Sequence, residues 1–242
     1  MGSQFFRNDM KVELVNYMGS DLSIVDAARV SYGGKRYREK HKNERLIRFL
    51  LRNGHTSPFR HTAFTFYLEV PIFVARQLMR HHVGFTWNEV SGRYKELGSL
   101  GFYAPGDMIL NPNYSLAISK AYSAYMKLLQ EDTPKEIARA VLPLGTYTAI
   151  HMTANLGALM NLWRERITPH AQPETRETAE RIWLKFRSLP AFEMTSRAIE
   201  ELWLNGAYVP GTVLMGKLDR LPKRDAKHYE GLLRGVCESG CK

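Results

Sequence analysis

The chain has 242 residues, is 44% hydrophobic and carries a formal charge of +10. That length and apolar content support a globular protein with a sizeable core, and the lack of a Gly/Ser linker, repeat or low-complexity tract favours one domain. No apolar run approaches the roughly 20 residues of a membrane span. The only two cysteines, Cys237 and Cys241, argue against a disulfide scaffold, cannot complete a zinc site alone, and fit a reducing cytoplasm. The basic excess points to anionic partners, although part of it lies in residues 217–227.

From the N-terminus, residues 11–17 alternate apolar and polar side chains and predict a strand. Ser20 or Asp21 can cap a helix that runs to Arg29. Residues 42–53 place Leu46, Ile47, Leu50 and Leu51 on one helical face, and Gly54 ends that helix. Residues 62–70, rich in Phe, Thr and Tyr, predict a strand. Pro71 opens a mostly apolar helix as its first residue. Residues 80–94 follow and are expected to be loop rather than helix, because Gly84 and Gly92 interrupt them. Residues 113–131 read as a long helix offering Leu116, Tyr122, Tyr125, Leu128 and Leu129 for packing. Thr133-Pro134-Lys135-Glu136 reads as a capping box that opens a short helix carrying Arg139. Residues 146–154 predict a strand, 157–166 and 174–188 predict helices, and Pro190 breaks the pattern. This succession gives an α+β fold.

The densest chemistry is in residues 80–94, Arg80-His81-His82-Val83-Gly84-Phe85-Thr86-Trp87-Asn88-Glu89-Val90-Ser91-Gly92-Arg93-Tyr94. Polar groups delivered from the end of a buried helix must find hydrogen-bond partners or cost free energy. Such a cluster is either a buried structural network or a site for a polar, anionic ligand. Its wording resembles the signature of the flavin-dependent thymidylate synthases, R-H-R followed after seven or eight residues by Ser. Here Arg80-His81-His82 is followed, eight residues later, by Ser91, with His82 where the family usually has Arg. Asn88, Glu89, Ser91, Arg93 and Tyr94 fit the rest of the signature. Four further blocks carry the resemblance across roughly residues 11–190. They are the opening Val12-Glu13-Leu14-Val15 to Ala27-Ala28-Arg29-Val30-Ser31, the segment Gly54-His55-Thr56-Ser57-Pro58-Phe59-Arg60-His61, and the later blocks Ala138-Arg139-Ala140-Val141-Leu142-Pro143-Leu144 and Leu159-Met160-Asn161-Leu162. The last fifty or so residues carry none, and residues from about 205 are expected to be a C-terminal extension.

The resemblance implies a single domain built on a twisted antiparallel sheet with surrounding helices, assembled as a homotetramer. It implies reductive methylation of dUMP to dTMP, with methylenetetrahydrofolate as carbon donor and FAD, reduced by NADPH, as hydride carrier. Gln77, Arg80, Glu89, Ser91, Gly92, Arg93, Arg139 and Arg166 then fall at dUMP, and Ser57, Arg80, His81, His82, Glu89, Asn155 and Asn161 at FAD. Between the two asparagines stands Gly157, where many family members carry arginine. Arg166 aligns with the arginine beside the uracil, and His55 with a histidine that assists cofactor or substrate handling. Arg164 competes with Arg166 for that role, and Glu165 could neutralise either. No metal, nucleic-acid or membrane partner is implied. Two rivals stand beside this reading. One is a same-fold flavin enzyme that uses another one-carbon donor or gives a hydroxymethylated product, as His82 and Gly157 suggest. The other is a basic nucleic-acid-binding module, for which no stacking motif is visible.

Overall fold

The computed structural model describes residues 5–33 and 39–204. In chain order they form β1 (Phe6–Arg7), β2 (Lys11–Met18), α1 (Asp21–Arg29), α2 (Lys40–Arg52), β3 (Ala63–Pro71), α3 (Ile72–Leu78), β4 (Phe85–Glu89), β5 (Phe102–Tyr103), α4 (Pro112–Gln130), α5 (Lys135–Ala138), β6 (Tyr147–Ala154), α6 (Leu156–Arg166), α7 (Pro173–Arg187) and α8 (Glu193–Leu202). Cys237, Cys241, the basic stretch 217–227 and the expected extension lie outside the described residues.

Four strands form one sheet in the order β2-β3-β6-β4, with every pair antiparallel. β3 and β6 are its centre. Strand geometry sends alternate side chains to opposite faces. Phe64, Phe66, Leu68 and Val70 of β3 and Ile150, Met152 and Ala154 of β6 therefore meet on one buried face. The other face carries Thr65 and Thr153, whose hydroxyls lie 2.9 Å apart. α6 and α7 cover the apolar face. Trp163 and Trp183 meet edge-on at 4.9 Å, and Phe186 packs edge-on against Phe64 at 5.3 Å. Burial of several large aromatics at one place is the main source of stability here.

The expected α+β class with an antiparallel sheet matches this architecture, and most expected elements lie within two residues of their place. Ser20 caps α1 in a full capping box with Ser23. Ile47, Leu50 and Leu51 of α2 are buried. Five expectations change. The loop expected over 80–94 contains the strand β4. Its Phe85 and Trp87 rings stack at 5.2 Å toward the core while Thr86 and Asn88 point away, and the alternation is too short to register without the β6 edge that pairs with it. Pro71 ends β3 and caps α3 with ψ 148° instead of being its first residue. The capping box at Thr133 does not form, because extended Pro134 is the cap of the four-residue α5 and Glu136 turns away to Arg93. On α4 only Ile118 and Tyr125 are buried, and Leu116 is 52% exposed. Pro190 is followed by another helix, α8, and β1 and β5 form a small parallel pair that adjoins the start of β6 through a Phe102–Thr146 bridge.

Candidate active site

Val74, Ala75 and Leu78 bury α3, so its last turn is a fixed platform. From it the chain turns through His81, whose N–H donates to the Leu78 carbonyl at 3.0 Å, into Gly84 at φ 78°. A Cβ at Gly84 would sit 2.5 Å from Asn155 Nδ2 and 2.9 Å from Ala158 Cβ. Both the left-handed backbone and this close approach to α6 require glycine. β4 then runs along the edge of β6, carrying the chain to Ser91.

Arg166, the last residue of α6, returns to this platform. Its Nε donates to His81 Nε2 at 3.1 Å and its Nη2 to the Gln77 carbonyl oxygen at 3.3 Å. His81 must therefore be neutral and protonated on Nδ1. Burial, and then the Arg166 charge, hold its pKa below the ordinary histidine value. Trp87 Nε1 donates to the His81 carbonyl at 3.2 Å. The Gln77 side chain accepts from Thr175 Oγ1 at 3.0 Å and donates to Gln172. Arg164 differs from Arg166 in every respect. It is exposed, lies 3.6 Å from Glu165 and stacks 5.3 Å from the Trp203 ring centroid. The competing carboxylate thus engages Arg164 and leaves Arg166 half-buried beside His81.

A second group gathers where β4 ends. Ser91 Oγ accepts from the Arg93 N–H at 3.3 Å. Gly92 is buried, and a Cβ there would be 2.9 Å from Arg139 Cδ, so the loop rests on the arginine that follows α5. Arg93 Nε donates to Glu136 at 2.8 Å, and its exposed guanidinium lies 5.7 Å from the Tyr94 ring centroid. Glu89 accepts from Thr148 Oγ1 at 2.7 Å. Arg80, His82 and Arg139 are exposed, and neither arginine makes an ion pair among the described residues.

The third group begins at the start of α6. Asn155 caps that helix by accepting from the Ala158 N–H at 2.9 Å, with its amide nitrogen against Gly84. Asn161 is exposed further along the helix, and His55 and Ser57 are exposed after α2. Among the described residues no hydrogen bond joins His55 or Ser57 to the Arg166 group. Their segment reaches α6 through Arg60, whose Cγ lies 3.0 Å from where a Cβ on Gly157 would be. Arg60, Glu136, Thr175 and Trp87 are absent from the expected site. Glu136, Thr175 and Trp87 hydrogen-bond to expected site residues, and nothing in the local sequence around these four announces them.

The arrangement combines guanidinium groups that make no ion pair among the described residues, a neutral histidine, and two turns, at Gly84 and Gly92, packed too closely to admit a side chain. That donor set fits a large, planar, phosphate-bearing group beside a nucleotide. The sequence profile of the family described as "Thymidylate synthase complementing protein" matches residues 13–189. The flavin-dependent thymidylate synthase of Thermotoga neapolitana is 43% identical over 186 residues, covering 73% of this chain and 85% of that one. That of Treponema denticola is 40% identical over 195 residues, covering 70% and 71%. The crystal structure of a UMP/dUMP methylase from Streptomyces cacaoi bound with 5-Br dUMP superimposes with a TM-score of 0.76 at 32% identity, covering 82% of this chain and 98% of that one. On the profile match and these identities, the chain belongs to the flavin-dependent thymidylate synthase family.

Proposed function

We propose that this enzyme converts dUMP to dTMP by reductive methylation, with methylenetetrahydrofolate as carbon donor and NADPH as the source of reducing equivalents, in the cytoplasm. The observation that carries the reading is Arg166, an arginine held by His81 and the Gln77 carbonyl and making no ion pair among the described residues. A fixed cation beside the uracil favours the anion left by loss of the N3 proton. That anion pushes electron density toward C5, the carbon to be alkylated. Neutral His81 accepts from Arg166 and so aims the cation without adding a competing charge. Ser91, the N–H groups around Gly92 and the exposed heads of Arg80, Arg93 and Arg139 suit the nucleotide phosphate. Gln77 and Glu89, both anchored by their own hydrogen bonds, complete the dUMP side.

Ser57, Arg80, His81, His82, Glu89, Asn155 and Asn161 are the residues that would hold FAD, with His55 assisting. When bound, the flavin supplies the hydride that turns the transferred methylene into a methyl group. A homotetramer is part of the proposal. Exposed Tyr94, Ile137 and Leu144 lie on the segments that carry Arg93 and Arg139, where apolar area invites a neighbouring subunit.

The test is incubation with dUMP, methylenetetrahydrofolate, FAD and NADPH, followed by chromatography of the nucleotides. dTMP is the expected product, and its absence with every component present overturns the reading. The relative from Streptomyces cacaoi is described as acting on both UMP and dUMP. UMP offered in parallel therefore measures a second reading, in which the sugar is not discriminated. A hydroxymethylated product would reveal the same-fold rival.

A further inference from the structure

We infer that Arg60 supplies the cation that holds the flavin phosphates beside the start of α6, taking the place of a side chain at position 157. This rests on the flavin reading above. Gly157 is the second residue of α6. A Cβ there would meet Arg60 Cγ at 3.0 Å, Arg60 Nε at 3.4 Å and Asn155 Oδ1 at 3.4 Å. A Cβ at 157 would press on the Arg60 stem and require it to shift by a few tenths of an ångström, and a longer side chain would compete for the space the stem occupies.

The base of Arg60 is fixed. It ends the turn Ser57–Arg60, in which Pro58 and Phe59 are buried. Thr62 Oγ1 donates to the Phe59 carbonyl at 2.9 Å and accepts from the N–H of Leu156, the first residue of α6, at 3.2 Å. Turn and helix are therefore bolted together, and the arginine stem crosses the joint. Its head is exposed and has no carboxylate or other acceptor among the described residues. Arg48, Arg93 and Arg187, by contrast, each sit within 3.3 Å of a glutamate. A planar cation with no acceptor among the described residues, with its Nε beside Gly157 at the start of α6, has the chemistry to grip a phosphate with paired N–H groups.

The experiment compares wild type, Arg60→Gln and the double variant Arg60→Gln/Gly157→Arg in calorimetric titrations with FAD and with riboflavin, which lacks phosphate. Arg60→Gln should weaken FAD about tenfold or more and leave riboflavin within about twofold. Its FAD affinity should also fall less steeply with salt, because one ionic contact is gone. The double variant should recover most of the lost affinity. FAD affinity equal to wild type in Arg60→Gln overturns the inference, as does an equal loss for FAD and riboflavin, which would mark a structural role. A double variant that keeps the wild-type unfolding midpoint yet stays weak overturns the exchange between positions 60 and 157. Wild type that binds no FAD sinks the flavin reading itself, a separate outcome.

Discussion

Two arginines two residues apart sit in different surroundings, set by what each touches. Arg164 is exposed and faces Glu165 and the ring of Trp203, whereas Arg166 is partly buried and hydrogen-bonded to groups that leave its charge intact. Arg166→Ala is expected to lower the rate of dTMP formation on the order of a hundredfold or more, the usual loss for a preorganised charge in a catalytic site. Arg164→Ala should cost less than about threefold, as expected for an exposed pair, and steady-state kinetics on both variants checks the contrast. His81 gives a pH prediction. Its folded pKa lies below the ordinary value of 6.5, so the folded protein binds fewer protons there than the unfolded chain. The stability linked to neutral His81 is complete above 6.5 and is lost as pH falls below it. Wild type should lose more denaturant resistance across that fall than His81→Gln, which keeps an acceptor for Arg166 but does not titrate. Equal losses in the two would show that His81 is not linked to folding.

Elements here are finished by groups from distant parts of the chain. α8 has no side-chain cap of its own, since its N-cap is Phe192. Buried Asp21, the first residue of α1, provides one, accepting from the N–H groups of Met194 and Thr195 at 2.9 Å each and from the Thr195 hydroxyl. Asp21→Ala should destabilise the protein by roughly 3 kcal/mol in urea unfolding, because it leaves buried donors unsatisfied. A loss under about 0.5 kcal/mol, the level of an inert surface change, would show that the cap is not holding α8. The turn that delivers β4 is equally specific. Gly84→Ala forces a Cβ into Asn155 and a left-handed backbone onto alanine. It should cost about 1–3 kcal/mol and weaken FAD binding as well, since Asn155 is displaced. Retained FAD affinity in that variant would detach Asn155 from the flavin site.

At the scale of the whole molecule, the main sheet and three C-terminal helices enclose one core, and the candidate site lies along its β4 edge. An edge strand shows unpaired backbone groups and is usually covered. β4 carries Asn88 and Glu89 and leads directly into Ser91 and Arg93, so a neighbouring subunit at this edge would complete the site. Light scattering is expected to give a tetramer, and dilution to monomers should abolish dTMP formation. A fully active monomer would refute shared sites. The Cys237→Ala/Cys241→Ala variant should retain methylation, because the proposed activation of dUMP runs through Arg166 and needs no thiolate.

The sequence by itself determined what depends on near neighbours. Alternation marked β2, a run rich in Phe, Thr and Tyr marked β3, one apolar helical face marked α2, and Ser20 or Asp21 marked the start of α1, because these signals act over one or two turns of chain. It also supplied the kinds of residue at the site, through ordered blocks that resemble one enzyme family. Only the tertiary structure decided which groups meet. It paired two-residue strands β1 and β5 across most of the N-terminal half, gave β4 its partner, and assigned Glu136 to Arg93 and Asp21 to α8. It also laid Arg60 across Gly157. Such contacts join segments far apart in the chain. Their loop-closure entropy is offset only by packing of the complete core, so no short stretch of sequence carries their signal.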